Sequence, residues 1–347
     1  MTERALAIDY HKIDLTQIRI LILQHGISND EVVCALVPVN HDGAEYHALS
    51  YEWGEASNDD PSITVNGHKV QIRRNLFDAL RSIRKPTEDQ KLWVDAICIN
   101  QSDVDEKSEQ VSMMGNTFSR AIGVIAWLGP ANDDSDLAMD LMSDDKSLDA
   151  SLPSLSKDSR EGRALSALSF RTYWRRIWII QELYLARTFV VWCGAKSIPR
   201  DTFEVSVGTL NRVASPFNGD ETYLKSPANQ LNFARRLRSG PGFNTLRRWL
   251  GICVSGDFQC SKKQDFVYAL LDISADFEAL KETFKVDYSK SPREVFLELL
   301  WWRDPSPSAR QGTREQQRFL DIAKKMDLNV DEDLRGQISS RFPRRES

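Results

Sequence analysis

The sequence predicts an α/β fold in which a parallel sheet is flanked by helices, with an N-terminal β-hairpin and a mainly helical C-terminal region. Three observations predict it. Short apolar runs alternate with helix-favouring segments between residues 46 and 200. Two of those runs, VIAWLG and FVVWC, are apolar at nearly every position, the pattern of strands buried on both faces. Beyond about residue 200 the strand-like runs give way to helical ones. The expected division is an N-terminal β-hairpin extension over 1–45 and an α/β domain over 46–200 with a loop insertion at 143–165. A helical region packed on the core follows over 201–303, then a polar, partly disordered tail over 304–347.

Taken in order, IRILIL (18–23) and VVCALVPV (32–39) read as strands joined by a polar turn, an antiparallel hairpin. YHALSYEWG (46–54) is a strand that ends in a glycine. SITVNGHKVQI (62–72) places Asn66-Gly67 between two β-rich arms, a hairpin signal. NLFDALRSIRK (75–85) reads as a helix stopped by Pro86, and KLWVDAICIN (91–100) as an apolar strand. Residues 101–121 open with Asp103 and Glu106 at capping-box spacing, so a helix follows. IGVIAWLGP (122–130) is a buried strand closed by Gly-Pro, and SDLAMDLM (135–142) a short helix. A helix over 170–187 and a strand over 188–194 complete the core. Helices are expected at 201–213, 228–238, 243–254, 264–273 and 291–302.

Composition excludes several function classes. Of 347 residues 41% are hydrophobic, enough for a sizeable core, and a net charge of −5 gives no reason to expect nucleic-acid binding. No apolar run is long enough to span a bilayer, and the first residues carry no secretory signal. The five cysteines (34, 98, 193, 253 and 260) have no CxxC spacing, and all five histidines precede residue 69 without metal-ligand spacing. The expectation is a cytoplasmic protein with no membrane span, no bound metal and no cofactor.

One stretch poses a chemical question. WRRIWIIQELYLAR (174–187) is apolar around most of a helix, the pattern of a buried one, yet it contains Glu182. A carboxylate there must be paired, protonated or used. The residues leave two readings open: an ion pair with Arg175 or Arg176, and a functional acid.

YHALSYEWG, LWVDAICINQSDVDEKSEQVSMMGNTFSRA, VIAWLG and WRRIWIIQELYLAR, in that order and spacing, resemble the fungal heterokaryon-incompatibility (HET) domain. The resemblance extends to KKQDFVYALLDIS (262–274) and FKVDYSKSPREVF (284–296), and covers roughly residues 46–300. It departs from the family at 262–274, where a Pro and an Arg are absent and Asp272 stands where Gly is usual. It implies an effector of programmed cell death in fungal non-self recognition. It also implies a TIR-like core, that is, a flavodoxin-like parallel sheet. Many TIR domains cleave NAD+ at the nicotinamide–ribose bond with the Glu of a Trp-Cys-x-x-Glu-Leu motif. Trp178, Glu182 and Leu183 have that spacing, with Ile179 in place of Cys.

The chemistry needs one acid. Nicotinamide leaves NAD+ as a neutral molecule and requires no proton, while the ribose becomes oxocarbenium-like. A single carboxylate, Glu182, can stabilise that charge, with Trp178 as a wall. NAD+ enters only as substrate. In open α/β sheets ligands lie at the carboxyl ends of the strands. That rule selects Ser50, Tyr51, Trp53 and Gly54 after the first core strand, Asp95, Asn100 and Gln101 along or past the second, and Trp127 at the third. With no GxGxxG present, Arg74 or Arg120 is the candidate for pyrophosphate. Cys98 reads as a small buried residue. By analogy self-association is expected, with an unidentified incompatibility partner. The alternative is a non-enzymatic, self-associating signalling module in which Trp53 and Trp127 are exposed anchors.

Overall fold

A computed structural model describes residues 8–27, 29–144, 148, 156, 158–213, 226–229, 244–256, 258–276, 284–302 and 312–343. Contacts divide the chain into two compact units. The first takes in residues 1–174 and 185–232, the second 175–184 and 233–347.

The first unit is built on one mixed sheet of nine strands: β1 (Gln17–Leu23), β2 (Val33–Asn40), β3 (His47–Tyr51), β4 (Ser62–Val65), β5 (His68–Gln71), β6 (Gln90–Trp93), β7 (Gly123–Trp127), β8 (Phe189–Cys193) and β9 (Lys196–Pro199). Their spatial order is β5-β4-β2-β1-β6-β3-β7-β8-β9. Four neighbours, β6, β3, β7 and β8, are parallel. Renumbered along the chain they run 2-1-3-4, the flavodoxin-like doubly wound order, which makes the gap between β3 and β7 the topological switch point. Antiparallel pairs extend both flanks, with one parallel pair, β2–β4, among them. β1 and β2 form the expected hairpin, and β1 continues the sheet by pairing with β6. Asn66 and Gly67 take positive φ (48° and 81°) at the tip of the β4–β5 hairpin, as the Asn-Gly pair predicts. The β8–β9 hairpin lacked such a pair and was not expected.

The helices of this unit are α1 (Arg74–Ile83), α2 (Asp95–Cys98), α3 (Val104–Ser112), α4 (Met114–Arg120), α5 (Ser135–Ser143), α6 (Arg160–Ser169) and, beyond the second unit's insert, α8 (Arg200–Val213). Trp93 packs edge-on against Phe118 at 5.5 Å, and Trp174 stacks on Phe203 at 5.4 Å. Truncating any of these core aromatics removes about 3–5 kcal/mol.

Three sequence expectations change between residues 91 and 169. The strand expected over 91–100 stops at Trp93 and turns into α2. The Asp95 carboxylate accepts from the Ala96 N–H at 2.7 Å, and the Val94 carbonyl accepts from Cys98 at 2.7 Å. A short apolar run does not distinguish a buried strand from a buried turn of helix, and the Asp side chain decides it here. The helix expected over 101–121 is two, parted at Met113 (φ −101°, ψ 0°). Part of the expected loop insertion is helical: α6 starts at Arg160, capped by Ser159. Most of 145–157 lies outside the described residues.

The second unit holds α7 (Trp178–Tyr184), α9 (Leu246–Ser255), α10 (Asp265–Tyr268), α11 (Pro292–Trp301), α12 (Thr313–Lys325) and α13 (Glu332–Arg341). The helix expected over 170–187 is a 3-10 turn (Thr172–Arg175) followed by the seven residues of α7. Between them the backbone of Arg176 bridges Gln259: Ile177 N–H donates to the Gln259 carbonyl and Gln259 N–H to that of Arg175. Tertiary pairing overrides helix propensity at that point. The segments 262–274 and 284–296 close on each other. Tyr288 donates to Asp265 at 2.6 Å, and Tyr268 and Tyr288 meet edge-on at 5.5 Å. Ser291 and Glu294 form a capping box at the start of α11. The expected polar tail contributes α12 and α13, with Ile322, Met326, Leu334 and Ile338 buried. Most of the helix expected at 228–238 lies outside the described residues.

Candidate functional site

At the switch point β3 and β7 end side by side, with Tyr51 opposite Trp127. The chain that follows β3 supplies a half-buried Glu52, a half-buried Trp53 and an exposed Gly54. The Trp53 indole N–H donates to Asp95 Oδ2 at 2.9 Å. Asp95 opens α2, so this bond ties the end of β3 to the segment just past β6. Gln101 donates to the Asp95 carbonyl at 2.9 Å and braces the same corner. Sequence reasoning selected Trp53, Asp95 and Gln101 separately, and the structure brings them together.

The other rim candidates are placed differently. Ser50 is buried, its hydroxyl 2.7 Å from that of Tyr173, and Tyr51 is buried too. Trp127 is 0% exposed, which corrects its expected role as an exposed anchor. Its ring belongs to the core and its N–H donates to Asn75 Oδ1 at 2.9 Å. Asn75 also donates to the Glu52 carbonyl at 2.6 Å, so one amide joins β7, α1 and the end of β3. Asn100 makes turn contacts: its side chain accepts from Ser102 N–H, and its own N–H donates to Glu106. The buried Cys98 thiol is pushed up to about 12 by desolvation, so no thiolate nucleophile forms at neutral pH.

The corner is held from behind. Asp103 caps α3 by accepting from Asp105 and Glu106 N–H, while the Glu106 carboxylate leaves the expected capping box. It takes a two-point ion pair from Arg19 instead, at 2.6 and 2.9 Å. Arg19 also donates to the Cys98 carbonyl at 3.1 Å, and Tyr10 to that of Ile97 at 2.9 Å. The N-terminal segment thus clamps the end of α2 whose beginning holds Trp53.

Gly129 follows β7 with φ +105°, a conformation that favours glycine. Arg171 clips this turn, donating to the Leu128 and Pro130 carbonyls at 2.9 and 2.8 Å. Its neighbour Thr172 donates to the Glu52 carboxylate. Sequence reasoning missed Arg171, Thr172 and Asn75. Their partners lie far along the chain and leave no local signal. Of the cations it did propose, Arg120 pairs with Asp42, next to the amino end of β7, and Arg74 lies 5.7 Å from the Phe77 ring.

Within the second unit Glu182 is 2% exposed, and both its oxygens accept from Arg176 at 3.2 Å. Of the two arginines expected as partners, Arg176 makes this pair. Its neighbour Gln181 donates to Asp272 at 3.2 Å, so the residue that departs from the family pattern contacts the acid-bearing helix. Tyr184 on α7 meets Trp249 edge-on at 5.2 Å, and Trp178 is half-buried. Among the described residues no group of three or more His, Cys, Asp or Glu could hold a metal ion, and no helix is long and apolar enough to cross a membrane.

Residues 46–182 match the family described as Heterokaryon incompatibility protein (HET). Heterokaryon incompatibility protein 6, OR allele, of Neurospora crassa is 30% identical over 234 residues, which take in 53% of this chain and 34% of that protein. The chain thus spans about a third of the length of this curated relative. No solved structure matches it.

Proposed function

We propose, from the premise that residues 46–182 are a heterokaryon incompatibility domain, that this chain acts in fungal non-self recognition, driving programmed cell death in the cytoplasm of incompatible fusions. The observation that carries this reading is where the match falls. It spans β3, β6 and β7, the strands that build the switch-point rim, and ends at Glu182. The rim of the first unit is read as a nucleotide-binding surface; Glu182, in the second unit, is read by its motif as the carboxylate that stabilises the ribosyl cation when NAD+ is cleaved in the manner of TIR domains. The flavodoxin-like 2-1-3-4 order and the Trp178–Glu182 spacing support it. Self-association on meeting an incompatibility partner is the trigger.

The Arg176–Glu182 pair favours a second reading, a self-associating signalling module without catalysis. A carboxylate that is 2% exposed and held at both oxygens serves as a structural ion pair. Under the enzymatic reading this pair opens when copies assemble.

The experiment is nicotinamide release from NAD+ by the purified chain at high concentration, beside Glu182→Gln, with circular dichroism on both. Release by wild type and none by the folded variant supports the enzyme. Growth arrest in a fungal host by both proteins, without release by either, supports the module.

A further inference from the structure

We propose that the switch-point rim recognises a nucleoside 5′-phosphate through Arg171 and Glu52, with Arg171 taking the phosphate and Glu52 the ribose diol. The proposal deepens the nucleotide reading of the rim and involves no residue of the Glu182 helix.

Arg171 and Thr172 are consecutive, and each reaches a different side of the crevice between β3 and β7. Arg171 lies on the β7 side, where a Cβ at Gly129 would stand 3.2 Å from its Nη1 and 3.8 Å from Asn75 Oδ1. Thr172 lies on the β3 side and donates to Glu52 Oε2. A guanidinium and a carboxylate are therefore anchored at adjacent residues, yet they form no ion pair with each other. Both are half-buried and open to solvent.

Neither charge is used up by its fold contacts. Arg171 donates to the carbonyls of Leu128 and Pro130, and at 3.4 Å to that of Asn132. Those are neutral acceptors, which an uncharged donor would serve. Among the described residues no carboxylate lies within ion-pair distance of Arg171, and its Nε–H meets no acceptor. Glu52 Oε1 likewise has no donor among them. A ligand that carries an anion a few ångströms from vicinal hydroxyls satisfies both groups at once. Guanidinium binds phosphate by charge-assisted hydrogen bonds, and a carboxylate accepts from ribose hydroxyls. Inorganic phosphate meets only half the site, and a neutral sugar the other half. Trp53, one residue beyond Glu52, offers a half-exposed indole for a base.

The test is calorimetric titration of the whole chain with AMP, adenosine and 2′,3′-dideoxy-AMP. In wild type AMP binds about tenfold more tightly than either analogue, the scale of one hydrogen bond to a charged group. Arg171→Gln brings AMP down to the level of adenosine, and Arg171→Lys restores part of the difference. Glu52→Gln, which still accepts from Thr172, brings AMP down to the level of the dideoxy analogue. Equal binding of all three ligands to wild type, or no binding of AMP, overturns the proposal, and neither result depends on a variant that folds. AMP binding with this pattern but no nicotinamide release from NAD+ would leave the rim assignment standing and remove the enzymatic reading.

Discussion

Trp53 donates its indole N–H to Asp95 across 2.9 Å, and that bond joins the segment after β3 to the helix that follows its parallel neighbour β6. Both residues are half-buried, so the bond is worth about 1 kcal/mol rather than the larger value of a fully desolvated one. A double-mutant cycle of Trp53→Phe and Asp95→Ala in urea should return a coupling of about 1 kcal/mol. Strict additivity would show that the contact carries no energy.

Arg19 and Glu106 form the clamp behind that corner, with side chains only 3% and 11% exposed. Removing one partner strands the other charge, so Glu106→Ala should cost about 3 kcal/mol. Replacing both, as Arg19→Met with Glu106→Leu, should recover most of that loss. Chemical denaturation of the three variants checks it. A double variant no better than the single would mean the loss comes from the Asn100 turn and not from the buried arginine.

His41 is 8% exposed, and burial, with Arg120 nearby, holds its pKa below the ordinary 6.5. A histidine kept neutral when folded protonates more readily when unfolded. Its contribution is therefore full above pH 6.5 and falls as the pH drops from there toward the folded-state value. The urea midpoint should decline between pH 7.5 and 5.5, and less so in His41→Asn. An equal decline in both proteins would assign the effect to other groups.

For the Arg176–Glu182 pair the two halves are unequal. Arg176→Gln takes a cation away from both oxygens of a buried carboxylate and should destabilise by about 3 kcal/mol, whereas Glu182→Gln removes the carboxylate's charge as well and should cost less. Thermal unfolding of the two variants compares them. The reverse ranking would mean that Arg176, 17% exposed, is the residue that depends on the pair.

Much of the sheet was legible because its signals are local. Asn66-Gly67 marks a hairpin, and the unbroken apolar run of β7 marks a strand covered on both sides. Asp103 announced its cap, but the destination of Glu106 did not show, since Arg19 lies 87 residues away. Asp95 reads as a costly carboxylate in an apolar strand until its own backbone contact turns the strand into helix. The site was legible only as separate residues. The rule that ligands gather at carboxyl ends of strands found Trp53, Asp95 and Gln101. Nothing local to Arg171 distinguishes it from any surface arginine, because its place beside Gly129 depends on the sheet being assembled.

The segment Arg175–Tyr184 belongs to the second unit although the chain on both sides of it belongs to the first. Its partner Asp272 lies 91 residues beyond Gln181. On a ribosome adding roughly 5–20 residues per second, the acid-bearing helix emerges on the order of ten seconds before the residues that close around it. A nascent chain, or a messenger cut short before the codon for Gln259, therefore yields a sheet without a finished acid-bearing helix. For a protein proposed to kill the cell that makes it, synthesis itself imposes a delay: the part that would carry the chemistry is completed late, after the strands of the rim.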